Sequence, residues 1–108
     1  MRVNEQIALT EAVYYILLSL YAPRHGYGIM QQTEQMSGGR VRLAAGTLYG
    51  ALSSLCDKGW IVALPGEEGA RRKAYQLTEK GYFVLKSELD RLRELVRNGM
   101  NVLGGEQA

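Results

Sequence analysis

A mainly α-helical chain with one small β-hairpin and a long helix near its C-terminal end is the fold class that this sequence predicts. Three observations predict it. Apolar residues recur at helical spacing in four separate segments, two short strand-like segments flank a Pro-Gly turn, and hydrophobic residues at 46% against charged ones at 22% describe a folded domain rather than a disordered chain. With 108 residues the chain forms one domain with a modest core, small enough that association with a second copy would add stability.

Met1 to Leu9 shows no period and reads as an arm or lead-in. Thr10 then caps a first helix that opens on Glu11, a carboxylate placed at the positive end of the helix dipole. Ala12, Val13, Ile16, Leu17 and Leu20 repeat at helical spacing, and Tyr14, Tyr15 and Leu18 make the segment apolar nearly all round, so it is expected to be buried on more than one side. Pro23 stops it, and Arg24-His25-Gly26 makes a short turn. A second helix spans Tyr27 to about Ser37 and ends at Gly38-Gly39. Arg40 to Leu43 alternates charged and apolar residues, which suits a very short strand or an extended connection.

The third helix, from Ala44 to its close at Lys58-Gly59, is the segment around which the rest is arranged. On a helical wheel Ala45, Leu48, Leu52, Leu55 and Cys56 fall on an inner side, and Gly46, Thr47, Gly50, Ser54 and Asp57 fall on an outer one. That outer side consists of small and hydroxyl-bearing residues, a composition unusual for a helix that merely meets water and suited to lying flush in a groove. Trp60 to Leu64 and Ala74 to Leu77 are strands by content, joined through Pro65-Gly66 and followed back by Arg71, Arg72 and Lys73. Thr78 caps the last helix, where Tyr82, Leu85, Leu89, Leu92 and Val96 alternate steps of three and four, the spacing of a coiled-coil seam. Asn98-Gly99 is expected to end it and leave Met100 to Ala108 as a weakly ordered tail.

Three helices, a hairpin and a further helix make a winged helix-turn-helix of residues 1–77 followed by a dimerisation helix and tail of residues 78–108, in one compact unit. Charge follows this division. Between Arg24 and Lys73 seven bases face four acids, a surplus of three, whereas the segment before sums to −1 and the segment after balances five against five. The positive excess thus lies in the middle of the chain, the part that includes the third helix and the hairpin, where a phosphate-contacting surface requires it. No apolar run approaches the roughly 18 residues of a membrane span, and no basic leader precedes the first apolar segment, so a cytoplasmic protein is expected. One cysteine and one histidine exclude an internal disulfide and make a metal site improbable. Neither a phosphate loop nor a nucleophile with a base at recognisable spacing is present, so no enzyme and no cofactor is expected.

Thr47, Tyr49, Ser53 and Ser54 are the candidates for groove contacts, because hydroxyls meet base edges and phosphates without filling the groove. Tyr49 lies on the flank of the wheel, so packing with its hydroxyl outward is the alternative. Arg71, Arg72 and Lys73 either reach phosphates or are solvated charges that protect a strand edge. Trp60 is read as a packing residue, with ligand stacking as the minor alternative, and Cys56 as a small core residue.

His25-Gly26-Tyr27-Gly28, Gly46-Thr47-Leu48-Tyr49, Lys58-Gly59-Trp60-Ile61 and the run from Arg71 to Gly81 occur in an order and spacing that resembles the PadR family of winged-helix transcription regulators. The match runs from about Leu9 to Val96 and is similar to the compact branch of that family. The resemblance implies a homodimer whose third helices enter successive major grooves of a palindromic operator, with the wings alongside and Tyr82, Leu85, Leu89, Leu92 and Val96 at the dimer contact. It implies that Tyr27 holds a phosphate, where a core tyrosine is the alternative, and that a small aromatic or drug-like effector releases the DNA. A winged-helix module that binds another protein instead of DNA is the competing expectation.

Overall fold

The computed structural model describes residues 8–65 and 73–104. In chain order the elements are α1 (Glu11–Ser19), β1 (Arg24–His25), α2 (Gly26–Met36), α3 (Ala45–Asp57), β2 (Ile61–Leu64), β3 (Ala74–Leu77) and α4 (Glu79–Leu103). The fold is mainly helical with a small antiparallel sheet, as the periodicities predict. Two of the helix starts obey local chemistry to the residue. Thr10 accepts a hydrogen bond from the Val13 amide, Thr78 accepts one from the Gly81 amide, and an acidic residue follows each cap.

Ile16, Leu17 and Leu20 of α1, Ile29 of α2 and Leu48, Leu52 and Leu55 of α3 interdigitate with Trp60, Ile61 and Leu85 in one core. Burial of each aliphatic side chain in such a core contributes about 1.5–3 kcal/mol. The inner face of α3 departs from expectation at two places. Ala45 is exposed because the first turn projects beyond the core, and Ala51 packs there instead; Cys56 is only half-buried.

Arg24-His25, expected as a turn, is a third strand. The sheet has the order β1-β3-β2, with Arg24 opposite Tyr75 and His25 opposite Ala74, while β2 pairs with β3 from Ile61↔Leu77 to Leu64↔Ala74. Two residues carry no periodicity, so only their partner strand defines them. The link from Arg40 to Leu43 is an extended connection. Trp60 lies just before β2 and is buried in the core.

Long-range backbone bonds lock the sheet to the helices. The Leu77 amide donates to the Leu20 carbonyl at 3.0 Å, and the Thr78 amide donates to the Trp60 carbonyl at 3.0 Å. Gly59 leaves α3 with φ of 79°, the left-handed conformation that glycine adopts without strain. Gly81 is enforced by packing: a Cβ there would overlap the carbonyl oxygen of Trp60, so α4 can cross the start of β2 only with glycine at this point.

The last helix does not end at Asn98-Gly99. It continues to Leu103 and closes on Gly104, whose φ is 98° and whose amide donates to the Met100 carbonyl. A glycine inside a helix costs about 1 kcal/mol relative to alanine but does not by itself stop one. Positions 85, 89, 92 and 96 extend with the same alternation to Gly99 and Leu103, so the apolar stripe runs on through the glycine.

Candidate nucleic-acid interface

The outer side of α3 is open along its length. Gly46, Thr47, Tyr49, Gly50, Ser53, Ser54 and Asp57 are all exposed, while Leu48, Leu52 and Leu55 hold the opposite side in the core. The two glycines are informative because the protein does not need them for packing. A Cβ built on Gly46 or Gly50 would meet no atom of the described residues within 4 Å. Glycine weakens a helix relative to alanine, so these two positions give up helix stability and leave the outer face of α3 without bulk.

The start of α3 adds polarity to that face. Ala44 occupies the N-cap position with no side-chain cap, so the first amides of α3 are left for an outside acceptor. The same holds for α2, whose N-cap His25 makes no side-chain cap bond. Tyr27, next to it, is 63% exposed, which disfavours the core alternative for this residue.

Tyr49 joins these two helix starts. Its hydroxyl lies directly against Gly26, so that any side chain at residue 26 would overlap it, yet the tyrosine remains 50% exposed. The alternative with the hydroxyl outward is corrected by this contact: the hydroxyl end packs on α2, and the exposed half of the side chain is the rest of the ring. Behind it, burial pushes the Tyr75 phenol up from its ordinary value, with smaller contributions from Cys56 and Tyr49.

Lys73 is exposed at the entry to β3, one residue before the pairing of Leu64 with Ala74 that closes the described part of the hairpin. Arg71 and Arg72 lie outside the described residues. At the other end of α3 the Lys58 ammonium sits 5.6 Å from the centre of the Trp60 ring, a cation–π contact. An open hollow of about 300 Å³ lies beside it, lined in part by Leu9, Val13, Ala51, Leu55, Lys58 and Trp60. No cluster of potential metal ligands occurs among the described residues, and no helix among them is long and apolar enough to cross a membrane.

On α4 the expected seam residues divide. Leu85 is 7% exposed and belongs to the core, which removes it from the exposed stripe. Tyr82 is exposed and its ring centre lies 6.4 Å from that of Tyr21, just past the C-cap of α1. Leu89 and Val96 are exposed and Leu92 is half-buried. Met100, Val102 and Leu103, which the reading of Asn98-Gly99 as a stop left out, are exposed on the same projecting helix, as is Leu95, which lies off the seam spacing. The signal for Leu103 was the alternation that continues from Val96 through Gly99.

Comparison with known proteins agrees with this arrangement. The family model described as the transcriptional regulator PadR-like family matches residues 14–87. A 37.1 kDa protein of a Streptomyces fradiae transposon is 40% identical over 73 residues, which cover 68% of this chain and 20% of that protein. The chain therefore spans only about a fifth of the length of that curated relative. Among solved structures, a transcriptional regulator from Clostridium thermocellum is 25% identical with a TM-score of 0.68, covering 86% of this chain and 91% of its own. A PadR-family transcriptional regulator from Eggerthella lenta is 25% identical with a TM-score of 0.65, covering 84% of this chain and 79% of its own.

Proposed function

The chain belongs to the PadR-like family of transcriptional regulators, which are not enzymes, and from that premise we propose that it is a sequence-specific DNA-binding repressor acting as a homodimer. In this reading α3 lies in the major groove, where Thr47, Tyr49, Ser53 and Ser54 meet base edges and phosphates. The uncapped starts of α2 and α3, with Tyr27 between them and the wing, hold the backbone. Arg71, Arg72 and Lys73 supply charge from the hairpin. The observation that carries the reading is the exposed face of α3, kept low by two glycines that no internal contact demands and continuous through Tyr49 with the open start of α2.

Dimerisation is supported by the exposed apolar residues of α4 from Leu89 to Leu103, which a second copy would cover at the spacing of a coiled-coil seam. Two heads held in this way would meet half-sites about 34 Å apart, one turn of duplex. An aromatic or drug-like effector would act by tilting the heads. The hollow beside Trp60, lined by residues at the start of α1 and along α3, supports a seat for it there.

The test is a mobility shift and footprint on the DNA upstream of the chain's own gene, repeated over a salt series. Protection of a palindromic element is expected, with affinity falling by a logarithmic slope of about 0.9 per phosphate neutralised. Arg72→Ala combined with Tyr49→Ala should abolish the shift. Binding that ignores both salt and these substitutions, or no protection at all, refutes the reading and favours the protein-interaction module.

A further inference from the structure

Glu88 is the one charged residue among the described residues buried in this protein, with a side chain only 2% exposed. An isolated carboxylate there would be costly, so its partners are informative. Arg91 grips it as a fork: Nε donates to Oε1 and Nη2 donates to Oε2, each at 2.8 Å. Oε2 also accepts the backbone amide of Leu9 at 3.2 Å, across 79 positions of sequence. Leu9 immediately precedes Thr10, the cap of α1. One carboxylate therefore ties the entry of α1 to the middle of α4.

Its place along the helix gives this tie mechanical weight. The buried residues of α4 are Gly81, Leu85 and Glu88, and every described residue after Glu88 is half-buried or exposed. Glu88 is thus the last buried point before α4 leaves the head. The remaining helix to Leu103 is about 22 Å long at 1.5 Å per residue, and it carries the exposed apolar stripe. Small changes of angle at such an anchor are amplified. A swing of about 10° moves a surface about 20 Å away by about 3.5 Å, the rise of one base pair.

We propose that Glu88 is a positioning residue for operator recognition: by holding the Leu9 amide and Arg91 together, it sets the angle between head and α4 and so the half-site spacing that the dimer accepts. This rests on the dimeric, DNA-binding reading given above. Arg91 orients the carboxylate toward Leu9, and the bidentate fork resists rotation in a way that a single contact would not. Glu88 itself touches no DNA.

Two measurements on the full chain test it. Gln31→Cys on the exposed side of α2, in a Cys56→Ser background, carries a spin label for the distance between heads in the absence of DNA. A library of half-sites with varied separation reads the spacing preference. The unaltered hook should give one narrow distance and prefer one spacing by about tenfold over its neighbours, comparable to the cost of a mismatched base pair. Glu88→Ala should broaden the distance and flatten that preference to about threefold or less, while affinity for a single half-site changes by less than about twofold.

Glu88→Gln, which keeps an acceptor for Leu9, and Arg91→Lys, which loses the fork, should fall between these limits and serve if Glu88→Ala fails to fold. Distances and spacing preferences unchanged in all folded variants overturn the proposal, as does a loss of half-site affinity equal to the loss on the full operator. A protein that yields no distance between heads, or protects no palindrome before any substitution at Glu88, refutes the underlying dimer reading instead.

Discussion

Gly50→Ala separates the interest of the fold from the interest of the site. The added methyl meets nothing within 4 Å, so no packing cost opposes it. Position 50 lies inside α3, where alanine is favoured over glycine by about 1 kcal/mol. For a domain near this size that gain raises the unfolding midpoint by about 4–8 °C at fixed protein concentration. If α3 enters the groove as proposed, the same methyl would stand on the surface that meets DNA. Loss of close approach there should cost about 1–3 kcal/mol, the range of a mismatched base pair, which weakens binding by about 5- to 150-fold. Thermal unfolding followed by circular dichroism and anisotropy on a labelled operator measure the two effects on one preparation. A variant that is more stable and binds more weakly is expected. Unchanged affinity would show that the Gly50 side of α3 stays clear of the groove, and a lowered midpoint would show that glycine serves the fold after all.

Thr33 is fully buried and its hydroxyl has no hydrogen-bond partner among the described residues, so Thr33→Val should raise stability by about 1 kcal/mol in urea unfolding. Hydrogen bonds from Arg91 hold the Glu88 carboxyl below its ordinary range, burial opposes this, and the Leu9 amide and the charge of Arg91 add to the lowering. Because the folded value lies below the unfolded one, this group's contribution is fully present above the usual carboxylate range and is lost as pH falls through the lowered value; Glu88→Gln should flatten that part of the urea-midpoint profile. Leu89→Asp places a charge on the exposed stripe of α4 and should yield a monomer in sedimentation velocity at micromolar concentration, whereas an unchanged dimer would locate the contact elsewhere.

Much of the architecture was legible because it is written in local chemistry. The caps at Thr10 and Thr78, the two sides of α3 and the hairpin follow from neighbours a few residues apart, and their energetics are decided within a turn or a strand. Ala45 marks the limit of that reasoning. Its place on the wheel is correct, but a wheel contains no information on where the core ends, and the first turn of α3 projects past it.

What the chain order alone determined is the set of helices, their inner and outer sides, and the polarity of the face that α3 presents. Tertiary structure alone decided the pairing of Arg24 and His25 with β3, the commitment of Leu85 to its own head, the seating of Tyr49 on Gly26 and the burial of Glu88. The physical reason is common to all four. Periodicity reports which residues share a side, whereas a two-residue strand, a tyrosine over a glycine or a carboxylate taken out of water is stable only through a partner brought from far along the chain.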